Sequence, residues 1–373
     1  MKVALVHDYL NQYGGAERVL EELHQLFPQA PIFTSIYDRD AMPAAFRGMD
    51  IRTSFMQRLP GILKHHQPYL ALYPLAFESF ELDEFDVVLS NSSAFCKGVK
   101  TGPHTLHICY CLTPMRWVWD YRGYVERERL GRLPRLGLPP IISSLRAWDV
   151  TVSNTVDHFI AISRTVAARI RKYYRRESIV IYPPVRTDVF SHTCPPGDYY
   201  LVVSRLIPYK RIDLAVDAFN RLGLPLKIVG DGRDRAALQS RAARNVEFLG
   251  KVSDAELEQL YLGCRGFLFP GEEDFGIAPV EAQAAGRPVV AYAAGGALDT
   301  VLDGETGVLF WEQTPEALAA AVRRLECLAL DSERIRAHAR RFDRSVFRQQ
   351  LADFVRSAWA EHQRQDFRPA RPR

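Results

Sequence analysis

Two glutamates, Glu273 and Glu281, stand with seven residues between them in "EEDFGIAPVEAQAAGRPVVA". Carboxylates are acceptor-only groups, and a pair of them on a loop and the helix behind it suits a ligand rich in hydroxyls. The preceding "GFLFP" reads as a strand and "GEEDFG" as the loop at its carboxyl end. Pro279 fits the first turn of a helix, where its missing N–H costs nothing. Gly276 and Ile277 then offer backbone N–H groups at the helix's positive end. On this reading Glu281 reaches ribose hydroxyls and Glu273 those of a transferred sugar. The competing reading is two carboxylates that complement the helix dipole. A second set lies in "SRLIPYKRIDLAV", where Arg205 and Lys210 flank a short loop before a helix. Two cations there would stabilise charge growing on a departing diphosphate; the alternative is two solvated surface charges. Third, Gly14 and Gly15 follow the first strand, and either approach a phosphate or simply make a turn. Neither they nor "GDGRDR" (230–235) match the dinucleotide fingerprint G-x-G-x-x-G.

Alternating elements must position these groups. Apolar runs that read as strands occur at 2–7, 86–91, 105–111, 158–163 and 178–184, with helical patterns between them. A second series begins with "YYLVVSRL" (199–206) and continues at 226–232, 246–250, 266–270 and 287–292. Strands alternating with helices predict parallel, doubly wound sheets, and two series joined by the Pro-rich segment 182–198 predict two domains facing a cleft. The expected division is 1–185, 186–345 and a C-terminal helix from 346 that packs back on the first domain, followed by a basic tail. In such sheets ligands bind beyond the carboxyl ends of the strands, which is where the three sets of residues fall.

Bulk properties exclude several classes. A net charge of +4 spread along the chain is too thin for a nucleic-acid-binding stripe. The six cysteines lack zinc-finger spacing and read as buried thiols of a reducing compartment. The apolar start is too short for a signal peptide, and no run reaches the roughly 18 residues of a membrane span. The expectation is a cytoplasmic protein, free or lying on the inner face of the membrane.

"SRL…K", then "FLGKV", then the spaced glutamates around "FG" resemble, in order and spacing, the family 4 retaining glycosyltransferases of the GT-B fold. "VALVHDYLNQYGGAERVLE" is similar to the family's opening strand, glycine turn and helix. "YCLTPMRWVWDY" (110–121) and "VDHFIAISRTVAARI" (156–170) resemble a bacterial branch rich in mannosyltransferases of cell-surface polysaccharide synthesis. The resemblance implies two Rossmann-like domains, one for a glycan or polyprenyl-diphosphate-linked acceptor and one for a GDP- or UDP-linked sugar. It implies that Arg205 and Lys210 hold the diphosphate and that Glu281 binds ribose. Glu273 with the Phe275–Gly276–Ile277 backbone would hold sugar and phosphate, Lys251 would border the base, and Gly14–Gly15 would close over the diphosphate. It further implies retention of configuration without metal or other cofactor; the only D-x-D, at 38–40, lies outside these motifs. A GT-B epimerase of sugar nucleotides is the alternative activity.

One position departs from the pattern. The branch carries histidine where this chain has Leu112, which puts one donor-sugar contact or proton relay in doubt. His107 alternates within a strand and reads as a packed residue. For the acceptor side, 55–77 and 127–149 mix basic and apolar residues, Arg132 and Arg135 among them. They read either as an anionic-membrane contact or as core helices with basic outer faces.

Overall fold

The computed structural model describes residues 1–120, 132–190 and 194–366. They form two compact units: Met1–Pro184 together with the described chain from Phe347, and Val185–Val346.

The first unit is built on a wholly parallel seven-stranded sheet: β1 (Val3–His7), β2 (Ile32–Thr34), β3 (Ile51–Thr53), β4 (Val87–Ser92), β5 (Leu106–Cys111), β6 (His158–Ala161) and β7 (Ser178–Val180). Their order is β3-β2-β1-β4-β5-β6-β7. Every residue of β1, β4 and β5 is buried, the polar Ser90, Asn91, Ser92 and His107 included, as in a parallel sheet covered on both faces. Helix Gly15–Leu26 follows β1 directly. Helix Arg164–Tyr174 follows β6 and starts where the Ser163 hydroxyl accepts the Val166 N–H at 3.1 Å. Its Val166, Ile170 and Tyr174, one per turn, are the residues it buries. The C-terminal helix Arg344–Asp366 sets Phe347 edge-on to Tyr110 (5.6 Å) and Phe354 against His158 (5.7 Å), and Arg348 pairs with Glu22.

The second unit holds a parallel six-stranded sheet: β8 (Tyr200–Val203), β9 (Leu226–Val229), β10 (Val246–Gly250), β11 (Gly266–Phe269), β12 (Val289–Tyr292) and β13 (Gly307–Phe310), in the order β10-β9-β8-β11-β12-β13. Helix Ile212–Leu222 after β8 and helix Pro315–Glu326 after β13 pack Phe219, Leu318 and Val322 onto one face.

In each sheet the strand order reverses once, between β1 and β4 in the first unit and between β8 and β11 in the second. At such a switch point the connections leave in opposite directions and open a crevice beyond the carboxyl ends. Three strands absent from the sequence reading, β2, β3 and β13, are outer members of their sheets. No helix among the described residues is long and apolar enough to cross a membrane.

Candidate functional site

The switch point of the second sheet brings together Arg205, Lys210, Glu273, Phe275, Gly276, Ile277 and Glu281, whereas Lys251 lies three strands away and Gly14 and Gly15 belong to the first unit. The loop after β8 carries Arg205 and, at the end of a short 3-10 turn (Pro208–Lys210), Lys210. The loop after β11 carries Glu273. Lys210 Nζ and a Glu273 carboxylate oxygen form an ion pair across the switch, with side chains only 12% and 24% exposed. The Lys210 ammonium also lies 5.2 Å from the centre of the Tyr209 ring, and the exposed Arg205 donates to the Tyr209 hydroxyl at 3.3 Å. Arg211, next along the chain, takes the left-handed conformation (φ 53°), uncommon for a residue with a Cβ. That turn ends the 3-10 segment and starts helix Ile212–Leu222. The Arg211 side chain donates to Gln313 (3.4 Å), whose amide donates to the Pro270 carbonyl (3.1 Å), so Gln313 ties the β8 and β11 loops together.

Helix Ile277–Ala284 starts beside this pair. Its N-cap is Gly276 at φ 90°, with no side-chain cap on the first-turn N–H groups. A Cβ at Gly276 would come within 2.7 Å of the Phe269 ring, so close packing and backbone sign both demand glycine. The Glu273 carbonyl accepts the Gly296 N–H at 2.8 Å, which fixes the β11 loop to the one after β12. Phe275 is buried, with Ile277 and Ala278 partly open at the helix start. Glu281 sits in the second turn and accepts the Tyr261 hydroxyl at 2.9 Å. Lys251 is exposed immediately after β10, three strands to one side of β11. The result is an ammonium, an exposed guanidinium, the positive end of a helix and two carboxylates along one sheet edge. That set suits a ligand combining phosphates with hydroxyls.

The first sheet's switch point is filled by the chain itself. Asp8, just past β1 and 2% exposed, accepts backbone N–H groups of Ser93, Ala94, Phe95 and Cys96 at 2.7–2.9 Å, and the Ser93 hydroxyl at 2.9 Å. An internal carboxylate thus occupies an N–H nest of the kind that elsewhere takes anions. Nearby, Glu17 accepts the Gly14 N–H at 2.7 Å, and His7 lies 3.3 Å from its other oxygen. Asn91 donates to the Ala16 carbonyl (2.8 Å) and faces His7 Nδ1 (3.2 Å). With the Asn91 amide as donor, His7 Nδ1 accepts and Nε2–H points to Glu17. Gly14 is extended (φ −158°) and Gly15 opens the helix, so neither uses glycine's left-handed freedom.

Other candidates resolve individually. Leu112 is buried after β5, an apolar side chain with its N–H on the Ser92 carbonyl (2.8 Å). His107 is buried against the Ser90 hydroxyl (3.0 Å), and burial pushes its pKa down to about 3, as suits a packed core residue. Asp38 of the D-x-D accepts the Asp40 N–H at 3.1 Å, a turn contact. Four cysteines are buried, whereas Cys194 and Cys327 are exposed, contrary to the reading of all six as buried thiols. The Arg132 and Arg135 side chains and the basic tail lie outside the described residues. Sequence reasoning missed Tyr209, Gln313 and Tyr261. Tyr209 was legible as the residue beside Lys210; the other two are long-range partners with no local signal.

Two family models match the chain, "Glycosyltransferase Family 4" over residues 13–189 and "Glycosyl transferases group 1" over residues 191–342. The chain is 26% identical over 76% of its length to the O-antigen chain mannosyltransferase C of Escherichia coli, covering 76% of that protein. It is 36% identical over 55% of its length to a GDP-mannose-dependent alpha-mannosyltransferase of Mycolicibacterium smegmatis, covering 56% of it. It spans about half the length of other curated relatives it matches. Among solved structures, Anabaena HepE in complex with UDP-glucose superposes with a TM-score of 0.71 at 19% identity, over 96% of this chain and 100% of that one. Two parallel, Rossmann-like sheets with this strand order are the GT-B type of fold. The chain belongs to the family 4 glycosyltransferases.

Proposed function

We propose that the protein transfers a hexosyl group, mannose before other sugars, from a nucleoside-diphosphate sugar to a glycan or lipid-linked acceptor of a cell-surface polysaccharide or glycolipid. The carrying observation is the Lys210–Glu273 ion pair across the β8/β11 switch point, beside an uncapped helix start. In the first sheet the equivalent N–H nest is already filled by Asp8, which favours the second unit as the donor's anchor. Mannose and GDP rest on the names of two relatives.

In this reading the bond between the sugar's anomeric carbon and the diphosphate oxygen breaks, and its electron pair stays on the phosphate. Lys210, Arg205 and the first-turn N–H groups of helix Ile277–Ala284 stabilise that charge, the task a metal performs in other transferases. The acceptor hydroxyl attacks the face the phosphate leaves, so configuration is retained, and its proton passes to the departing phosphate. Glu273 and Glu281 accept hydroxyls of sugar and ribose.

The first unit is read as the acceptor side, on the inner face of the membrane. Phe55 and Leu75 are 46% and 58% exposed, in one stretch with exposed Arg58, Lys64 and His65. This combination suits reversible contact with anionic lipid, at about 1 kcal/mol for each cation near the surface.

The test is nucleoside diphosphate release from GDP-mannose, UDP-glucose and ADP-glucose, with and without EDTA and with extracted glycolipid as acceptor. Acceptor-dependent release from GDP-mannose in EDTA is expected. Conversion of the donor without acceptor would identify an epimerase, and failure of all three donors would sink the transferase reading. Vesicle flotation with acidic against neutral lipid tests the membrane contact, with equal recovery counting against it.

A further inference from the structure

Tyr261 lies on helix Asp254–Gly263, two residues from its end, with its side chain 1% exposed. Its ring stands edge-on to Phe190 (5.7 Å) and tilted against Phe267 of β11 (5.8 Å). Packed this way, the ring is held by close contacts that resist a change of rotamer. The Tyr261 hydroxyl ends on Glu281 Oε2 at 2.9 Å. A phenol–carboxylate hydrogen bond is charge-assisted, and at 2.9 Å this one lies at the long end of the O–H···O range. Glu281 is partly exposed on the second turn of helix Ile277–Ala284, and ordering a long glutamate side chain costs conformational entropy. The bond therefore joins a partly exposed acceptor group to a buried, ring-packed side chain.

We infer that Tyr261 is a positioning residue that holds Glu281 in the geometry for accepting ribose hydroxyls. This rests on the reading of Glu281 as the ribose contact. Tyr261 itself is buried and touches no ligand. Its effect is preorganisation: the ordering of a long side chain that each nucleotide would otherwise impose is done once, on folding.

The experiment compares the full-length protein with Tyr261→Phe, Glu281→Gln and the double variant, by calorimetric titration with GDP and UDP and with their 2′,3′-dideoxy forms. Tyr261→Phe should weaken binding of the ribonucleotide about 2- to 10-fold, the equivalent of ordering one long side chain. It should leave binding of the dideoxy form unchanged. A purely structural fault would weaken both forms alike, and that result overturns the inference. In the double variant the Tyr261 effect should shrink, because the carboxylate it positions is gone and the amide that replaces it is a weaker acceptor; fully additive losses refute the coupling. If Glu281→Gln itself fails to narrow the gap between the two forms, or the wild-type protein binds neither nucleotide, the ribose reading falls and the inference with it. If Glu281→Gln narrows the gap and Tyr261→Phe does not, only the inference falls. Should Tyr261→Phe fail to fold, Phe190→Leu, which loosens the ring and leaves the hydroxyl, should show a weaker loss of the same selective kind; an equal loss for both forms overturns it.

Discussion

Replacing Lys210 with methionine removes one charge, keeps an unbranched side chain, and separates two roles. In the folded protein the ammonium pairs with Glu273 at 12% and 24% exposure, between the exposed and fully buried cases. Exposed pairs contribute about 0.2–1 kcal/mol, and breaking a buried one costs about 3–5 kcal/mol. A cost of about 2 kcal/mol, or about 4–8 °C in the melting temperature of a domain this size, is therefore expected. The effect on catalysis should be larger. In the proposed reaction the leaving diphosphate gains charge as the sugar bond breaks, and losing one preorganised donor of this kind lowers kcat by about 10²–10³-fold. Binding of the nucleoside diphosphate should fall less, because the contact strengthens only as charge develops. The assay is steady-state nucleoside diphosphate release beside calorimetric titration and a melting scan. Lys210→Arg should recover part of the rate. The decisive variant is the Lys210→Met/Glu273→Gln pair. If Lys210 served only to neutralise Glu273, the double variant would turn over as fast as Glu273→Gln alone and regain the lost stability. That result, or near-normal turnover in Lys210→Met alone, refutes the phosphate role.

Gly276→Ala forces a Cβ into the left-handed region and to within 2.7 Å of the Phe269 ring. It should destabilise the protein by about 2–4 kcal/mol in a urea titration and lower nucleotide affinity by tilting the helix start; an unperturbed midpoint would contradict the packing argument. Asp8→Asn replaces one acceptor oxygen by an amide donor that faces two of the four backbone N–H groups and should cost about 3–5 kcal/mol, read as lost cooperativity of the first unit's unfolding. His338, buried beside Gln283 (2.9 Å), has its pKa pushed down to about 4 by burial and by Arg341. Its unfolded value is about 6.5, so the unfolded chain binds the extra proton first. Stability from this group is complete above about pH 6.5 and should fall by up to about 3 kcal/mol as pH drops to about 4. His338→Gln should flatten that part of the stability profile; an unchanged slope would assign the acid sensitivity elsewhere.

Much of the frame was legible because it depends on neighbours in sequence. Apolar runs such as "KVALVH" and "LKIVGDG" alternate with helical periodicity, and that alternation alone dictates parallel, doubly wound sheets. Glycine and proline at 276 and 279 mark a helix start, and a helix start implies N–H groups open to an anion. Strands β2 and β3 escaped although β7 is as short: each is followed by a short 3-10 segment, Ala44–Gly48 and Phe55–Arg58, so the alternation with long helical patterns is missing there, and their pairing partners make them strands. The same limit applies to the site. Sequence placed Lys210 and Glu273 each after a strand, but nothing local says that β8 and β11 are adjacent, with the strand order reversing between them. Only that adjacency turns two charges sixty-odd residues apart into one ion pair. Asp8 in its nest and Tyr261 on Glu281 have the same origin. Backbone preference is a local property written in side-chain type and spacing, whereas the satisfaction of buried polar groups is settled between distant elements once the chain has packed.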